Sequence, residues 1–218
     1  MSGSAPLPRT RVRRLRELQV EDRDALDALL DEALVAYVGA VVDEHPLVVP
    51  TTFARDGDRL LLHGSTGSGW MRTAASGAPA CVAVTAVDGL VVARSAFESS
   101  MRYRSAVVFG ALRALDPPER DRGLDAITDK LLPGRRAEIR AATSQEQDRA
   151  LVLTMPIEHW SLKVSDGWPD DADDDRAGAA WAGVVPLRTT ALPPVAAPDL
   201  RDGIPVPASV LAFVQARA

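Results

Sequence analysis

The sequence predicts a mainly antiparallel β-barrel decorated by helices, an α+β fold, and three observations predict it. Strand-like runs crowd the first half of the chain. Asp-Gly pairs separate them in the manner of tight turns. No strand–helix–strand rhythm of about 30 residues appears, which disfavours a parallel, Rossmann-like sheet. With 218 residues, 46% of them hydrophobic, the chain suffices for one core and is short for two full-sized domains.

Residues 1–8 are small, proline-bearing and aperiodic, and are expected to form a disordered arm ahead of a domain spanning 9–187. Leu26, Leu29, Leu30 and Leu34 recur at helical spacing behind the capping candidates Asp22 and Asp24. The valine-rich run 35–42 reads as a strand. Runs 48–55 and 59–63, joined by Asp56-Gly57-Asp58, read as a hairpin, and the same logic makes 80–87, Asp88-Gly89 and 90–95 a second one. A long strand, 103–115, directs Ser105, Val107 and Phe109 one way and Arg104, Ala106 and Val108 the other.

Asp116-Pro117-Pro118-Glu119 then opens a helix with Leu124, Ile127 and Leu131 on its buried stripe, closed by Pro133-Gly134. A capping-box pattern at 144–147 precedes strand runs 151–157 and 160–164. The acidic segment 166–176 reads as a solvated loop, 181–187 as a last strand, and the proline- and alanine-rich tail, 188–218, as a surface wrap without regular structure.

Charge and composition narrow the function. A formal net charge of -5 leaves no basic excess for a nucleic-acid backbone. One cysteine, Cys81, excludes an intramolecular disulfide or a multi-cysteine zinc site and fits a reducing cytoplasm. The basic stretch 9–16 is followed by no apolar segment, and no run approaches the roughly 20 apolar residues of a membrane span. A cytoplasmic protein without membrane or nucleic-acid partners is expected.

The segment leaving the first hairpin, His63-Gly64-Ser65-Thr66-Gly67-Ser68-Gly69-Trp70-Met71-Arg72, carries the chemistry. Glycines allow close approach to a ligand, hydroxyls supply neutral donors, and Arg72 offers charge-assisted bonds to a phosphate. A plain Gly/Ser connector before a short helix starting near Trp70 has the same composition. The spacing is neither that of a P-loop nor that of a dinucleotide fingerprint.

The ordered set His45-Pro46-Leu47-Val48-Val49-Pro50-Thr51, Arg55-Asp56-Gly57-Asp58, His63-Gly64-Ser65, Asp88-Gly89-Leu90-Val91-Val92-Ala93-Arg94-Ser95-Ala96-Phe97 and Tyr103-Arg104-Ser105 resembles the flavin-nucleotide-binding branch of the pyridoxamine-phosphate-oxidase-like proteins. The likeness continues in Pro133-Gly134-Arg135 and in Trp181-Ala182-Gly183-Val184-Val185-Pro186-Leu187. The resemblance implies a six-stranded antiparallel split β-barrel flanked by helices, forming a homodimer with FMN across the interface. Carried over by position, the strand Val49, Pro50, Thr51 and Thr52 borders the flavin ring with its backbone. Ser65, Thr66, Ser68 and Arg72 hold the phosphate, with His63 beside them, and Tyr103, Arg104 and Ser105 approach from the neighbouring strand or subunit.

The chain departs from that pattern at Glu98 and Ser99, where relatives tend to carry two histidines, and at Arg102, where they carry an asparagine. Gly69-Trp70 also replaces the basic or small polar pair expected in the phosphate loop. Glu98, Arg102 and Trp181 are therefore the residues expected near a small-molecule substrate. Replacing imidazole by carboxylate removes a group that titrates near neutrality.

His63 is a packing histidine, a flavin contact or, on a barrel that binds haem, an iron ligand. Cys81 sits in an alternating apolar run and reads as core. Trp160 and Trp181 read as barrel packing, with Trp168 unassigned. No serine occupies a nucleophile elbow, and no catalytic acid, base or metal cluster is assignable. The expected activity is that of a flavin-dependent oxidoreductase; the alternatives are a flavin carrier or sensor without turnover, and a haem-binding protein on the same barrel.

Overall fold

The computed structural model describes residues 10–218, so the arm expected at 1–8 lies outside the described residues. Strand β1 (Gln19–Val20) leads into helix α1 (Arg23–Glu32), whose N-cap Asp22 accepts a hydrogen bond from the Asp24 amide at 2.9 Å. Strands β2 (Val35–Val42), β3 (His45–Asp56) and β4 (Arg59–Ser65) follow as consecutive antiparallel hairpins, and helix α2 (Gly69–Ala74) leaves β4 through the Ser65–Ser68 loop. Long strands β5 (Ser76–Val92) and β6 (Ser100–Ala114) lead to α3 (Pro117–Leu131), α4 (Ser144–Asp148), β7 (Ala150–Pro156) and β8 (His159–Ser165). The chain ends with α5 (Asp173–Arg176), β9 (Gly183–Pro186) and α6 (Ala208–Ala216).

The strands form one sheet in the order β1-β8-β6-β7-β4-β3-β2-β5-β9, and the additional β5–β6 pairing closes six of them into a ring, β2-β3-β4-β7-β6-β5. The split arises at one edge of β6. Its far end, Arg113 and Ala114, pairs with β7, whereas Tyr103–Phe109 pair with β8, so the consecutive strands β7 and β8 part there and follow different stretches of β6. The ring is filled by Phe53, Leu60, Leu62, Val82, Val84, Ala106, Val108, Leu112, Met155 and Leu162, with Leu26, Leu29 and Leu30 of α1 packed into the same core. α3 lies outside the ring, setting Leu124, Ile127 and Leu131 against Ala54, Leu61 and Val152. Lys130 of that helix donates to the Leu30 carbonyl and stands 4.3 Å over the Phe53 ring, and burial pushes its pKa down to about 8.

Several expectations are corrected. Asp88-Gly89 is no hairpin turn. β5 runs straight through it with a register shift between Val87 and Gly89, a β-bulge. The buried side switches there from Val82 and Val84 to Val91, and a Cβ on Gly89 would stand 3.0 Å from the Val185 carbonyl of β9. Between β2 and β3 the turn is Asp43-Glu44, both at positive φ (49° and 65°), a hairpin without the glycine that would announce it. The capping box lies one residue earlier, with Thr143 and Glu146 bonded reciprocally. The tail carries α6, held where Glu138 accepts from the Ser209 amide (2.9 Å) and hydroxyl (2.5 Å). Cys81 points out of the ring, opposite to Val82 and Val84, and is not core. Trp160 packs against the core as expected, but Trp181 is 66% exposed.

Among the described residues no helix is long and apolar enough to cross a membrane.

Candidate functional site

Strand alternation places Pro50 and Thr52 on the outer face of the ring and Val49 and Thr51 on the inner side shared with buried Phe53. Registers then align the outer side chains into rows that cross the sheet. One row runs Pro50, Tyr37, Ala83, Val107 and Ser161; the next runs Val48, Gly39, Cys81, Phe109 and His159. A third holds Thr52 opposite Val35 and, on the other strands, Thr85, Ser105 and Lys163, with Thr85 Oγ1 3.2 Å from Ser105 Oγ. His63 Nδ1 lies 3.4 Å from Thr52 Oγ1, so the predicted residues Thr52, His63 and Ser105 belong to one broad, slightly polar wall.

The loop beyond Ser65 closes on itself. The Gly67 amide donates to Ser65 Oγ at 3.1 Å, the Ser68 amide to the Ser65 carbonyl at 2.9 Å, and Arg72 Nη1 to the Thr66 carbonyl at 2.7 Å. Ser65, Thr66, Ser68 and Arg72 thus lie together in one compact loop. The Arg72 fork spends one of its five donors on the loop, and its side chain stays exposed. Thr66 is tied to the Arg149 carbonyl through its amide at 3.0 Å, which anchors the loop to the start of β7. Gly64 leaves room for Met71: a Cβ would lie 2.3 Å from Met71 Sδ, so the buried side chain that seats α2 under the loop would have to shift. Burial lowers the His63 pKa below its ordinary 6.5, so the ring is neutral at pH 7.

The third predicted group divides. Tyr103 and Ser105 share the outer face, and Lys163 Nζ stands 5.9 Å over the Tyr103 ring. Arg104 points to the other side, where Asp88 accepts from Nε and Nη2 at 2.9 and 2.7 Å and Glu32 from Nη1 at 2.6 Å. Those carboxylates hold its guanidinium still more firmly charged than usual.

Of the predicted substrate residues, Arg102 donates from Nε to the Gly167 carbonyl at 3.0 Å and stacks 4.9 Å from the Trp168 ring. The Glu98 amide is bonded by Ser95 Oγ at 3.2 Å, and Trp181 folds over the backbone of Gly183. The acidic segment that Arg102 touches is not wholly solvated, because Asp171 is buried and accepts from the Arg94 amide at 2.7 Å and from Arg94 Nη1 at 2.9 Å.

A cleft of about 810 Å³ opens beside the wall, lined by Val35, Tyr37, Thr85, Val87, Leu187, Arg188, Thr189 and Arg217. Sequence reasoning passed over these residues. Val35 and Tyr37 carried a signal, being large side chains at alternate positions of a strand whose other face, Ala36 and Val38, is core. Arg188 and Arg217 carried none, since their place depends on how the tail docks. Among the described residues no cluster of three or more His, Cys, Asp or Glu is placed to hold a metal ion.

The chain matches the family model described as pyridoxamine 5'-phosphate oxidase over residues 22–164. Among solved structures, the FAD and heme binding protein from Mycobacterium smegmatis is 52% identical over 90% of this chain and 97% of that one, with a TM-score of 0.88. The flavocytochrome Anf3 from Azotobacter vinelandii is 34% identical over 96% and 98%, with a TM-score of 0.89. A 5-nitroimidazole antibiotic resistance protein from Bacteroides thetaiotaomicron, at 22% identity over 67% and 86% and a TM-score of 0.57, shares the fold. No protein of curated function matches the chain. With six strands closed into a split ring, and a family match that covers well over half of its length, the chain belongs to the pyridoxamine 5'-phosphate oxidase-like family.

Proposed function

We propose that this protein binds a flavin on the outer wall of its barrel and works as a redox protein. The observation that carries the proposal is the 52% identity, over nearly the whole of both chains, to a protein that binds FAD and haem. That relative favours FAD over the FMN expected from the sequence. The residues fit a flavin: the wall around Pro50, Thr52, Tyr37 and Val107 is largely apolar, and its hydroxyls supply orienting bonds. The Ser65–Arg72 loop offers the Ser65 and Ser68 hydroxyls and the spare donors of Arg72 to a phosphate, the Thr66 hydroxyl being directed at the Arg149 carbonyl. A bound flavin supplies hydride or single-electron chemistry. Neutral His63 lends a hydrogen bond without adding charge, and the Arg94–Asp171 latch holds the acidic segment that positions Trp168 and Arg102.

The wall is open in one chain, and it carries exposed Val35, Tyr37 and Val48. A second copy of the chain covering this face completes the site, as the family resemblance implies, in a cytoplasmic homodimer without membrane or nucleic-acid partners. Haem is a second cofactor on this reading, favoured because the Mycobacterium smegmatis relative binds heme and the Azotobacter vinelandii relative is a flavocytochrome. Turnover of a small-molecule substrate, with Glu98, Arg102 and Trp181 nearest to it, is the oxidoreductase form of the proposal.

The test is reconstitution. Purified protein stripped of ligands is titrated with FAD, with FMN and with hemin, and absorption and flavin fluorescence are followed. Uptake of FAD in preference to FMN is the expected outcome, and failure to take up either flavin refutes the proposal. Reduction of the bound flavin by a nicotinamide cofactor, with reoxidation by an added acceptor, separates an enzyme from a carrier.

A further inference from the structure

We infer that the cleft between the barrel and the C-terminal tail takes a small organic acid, with its apolar body against β2 and β5 and its anionic head on Arg188 and Arg217. This names the substrate class of the proposed flavin site, and it rests on that reading for its redox use. The cleft holds about 810 Å³. Val35 and Tyr37 of β2 and Thr85 and Val87 of β5 form its barrel side, and the tail, at 187–189 and 216–218, forms the other. Thr85 stands opposite Ser105 and Val87 opposite Tyr103, so the cleft opens onto the wall assigned to the flavin. Arg102 pairs with Gly89 at the bulge that follows. The tail side is fastened by backbone: the Leu187 amide donates to the Asp88 carbonyl at 3.0 Å and the Ala191 amide to the Arg217 carbonyl at 2.9 Å. The family match ends at residue 164, so a ligand held by this side belongs to chains that carry the tail rather than to the family as a whole.

Charge decides the sign of the ligand. Two carboxylates line the cleft, Glu32 and Asp88, and both are spent on Arg104, at 2.6 and 3.1 Å from Glu32 and at 2.9 and 2.7 Å from Asp88. Carboxylates already matched by a guanidinium repel an incoming anion only weakly. Arg188 has no side-chain hydrogen bond or ion pair among the described residues. Arg217 has no carboxylate partner among them either: Nη2 donates to the Glu32 carbonyl at 3.1 Å, and the guanidinium stands 5.0 Å from the Phe213 ring. In a chain with 30 acidic and 25 basic residues, two guanidinium groups without carboxylates beside one cavity are a seat for an anion from solution. The body of the ligand follows from the opposite side. Val35, Tyr37, Val87 and Leu187 are 43–48% exposed, so an apolar group laid against them removes their surface from water, and the Tyr37 ring favours a flat one.

The test is fluorescence titration of the full chain with two dyes of similar shape, the anionic anilinonaphthalene sulfonate and the neutral phenylnaphthylamine, before and after loading with FAD. The sulfonate is expected to bind more than about tenfold more tightly than the neutral dye, and Arg188→Ala to remove that preference while keeping FAD uptake and the neutral dye. Benzoate and phenyl phosphate are expected to displace the sulfonate, and the better competitor of the two names the head group. Equal binding of the two dyes, an unchanged preference in Arg188→Ala, or no displacement by either acid overturns the proposal. Loss of the sulfonate on loading with FAD overturns it too, because the cleft would then be part of the flavin's own seat. The expected dye pattern in a protein that takes up no flavin upholds the organic-acid site and overturns the flavin reading beside it.

Discussion

Arg72 sits at the mouth of a loop that it helps to hold, with one donor on the Thr66 carbonyl and the others open to solvent. Arg72→Ala is expected to weaken flavin binding by roughly 1.5 to 3 kcal/mol through loss of a charge-assisted phosphate contact. Fluorescence titration checks this, and unchanged affinity removes Arg72 from the site. His63 affords a pH test. Burial lowers its folded-state pKa below 6.5, so on acidification the unfolded chain takes up this proton first. The stabilisation is therefore complete above the ordinary value and is lost as pH falls through the folded value. Denaturation midpoints should drop from pH 7 toward pH 5, and His63→Gln should flatten that slope; an equal slope in the variant excludes His63 as the group. The hydroxyls and arginine of the loop were legible because their chemistry is local. The pairing of Arg104 with Glu32 and Asp88 was not, since 72 and 16 residues separate the partners.

At the scale of elements, alternation and Asp-Gly signals located nearly every strand, and they failed where one signal has two physical meanings. Gly57, at φ 59°, makes the hairpin turn that Asp56-Gly57-Asp58 announces. Gly89 belongs to the same kind of dipeptide but lies in a continuous strand, where it lets β9 approach and Asp88 reach Arg104. Whether Asp-Gly turns the chain or bulges it depends on the strand waiting alongside. Asp171 likewise could not be told from its acidic neighbours until Arg94 was placed beside it. Asp171→Ala is expected to destabilise the fold by about 1–3 kcal/mol, because it strands a partly buried guanidinium and unbonds the Arg94 amide. It should also release the 166–176 segment. Chemical denaturation reads the first effect and hydrogen exchange in that segment the second; wild-type values for both would mean that the latch is incidental.

For the whole molecule, the ring is closed and internally packed, yet its outer wall and the β2–β3 arm leave Val35, Tyr37, Val41 and Val48 facing water. Sedimentation at micromolar concentration is expected to show a dimer, and Val48→Glu to shift it toward monomer, since burying an unpaired carboxylate in an apolar interface is costly. A wild-type protein that stays monomeric would remove the shared-site geometry. What the sequence by itself determined is the part that short-range physics dictates: a mainly antiparallel sheet, the helices α1 and α3 with their buried stripes, the first glycine turn, and a Gly/Ser loop ahead of a short helix. The ordered motifs added the family. Only the tertiary structure decided which strands close the ring, that the tail builds a helix, that Cys81 and Tyr37 share the outer face, and that Arg94 buries Asp171. The reason is that strand neighbours, bulges and ion pairs are settled by contacts between residues far apart in sequence, where local periodicity says which way a side chain points but not what it meets.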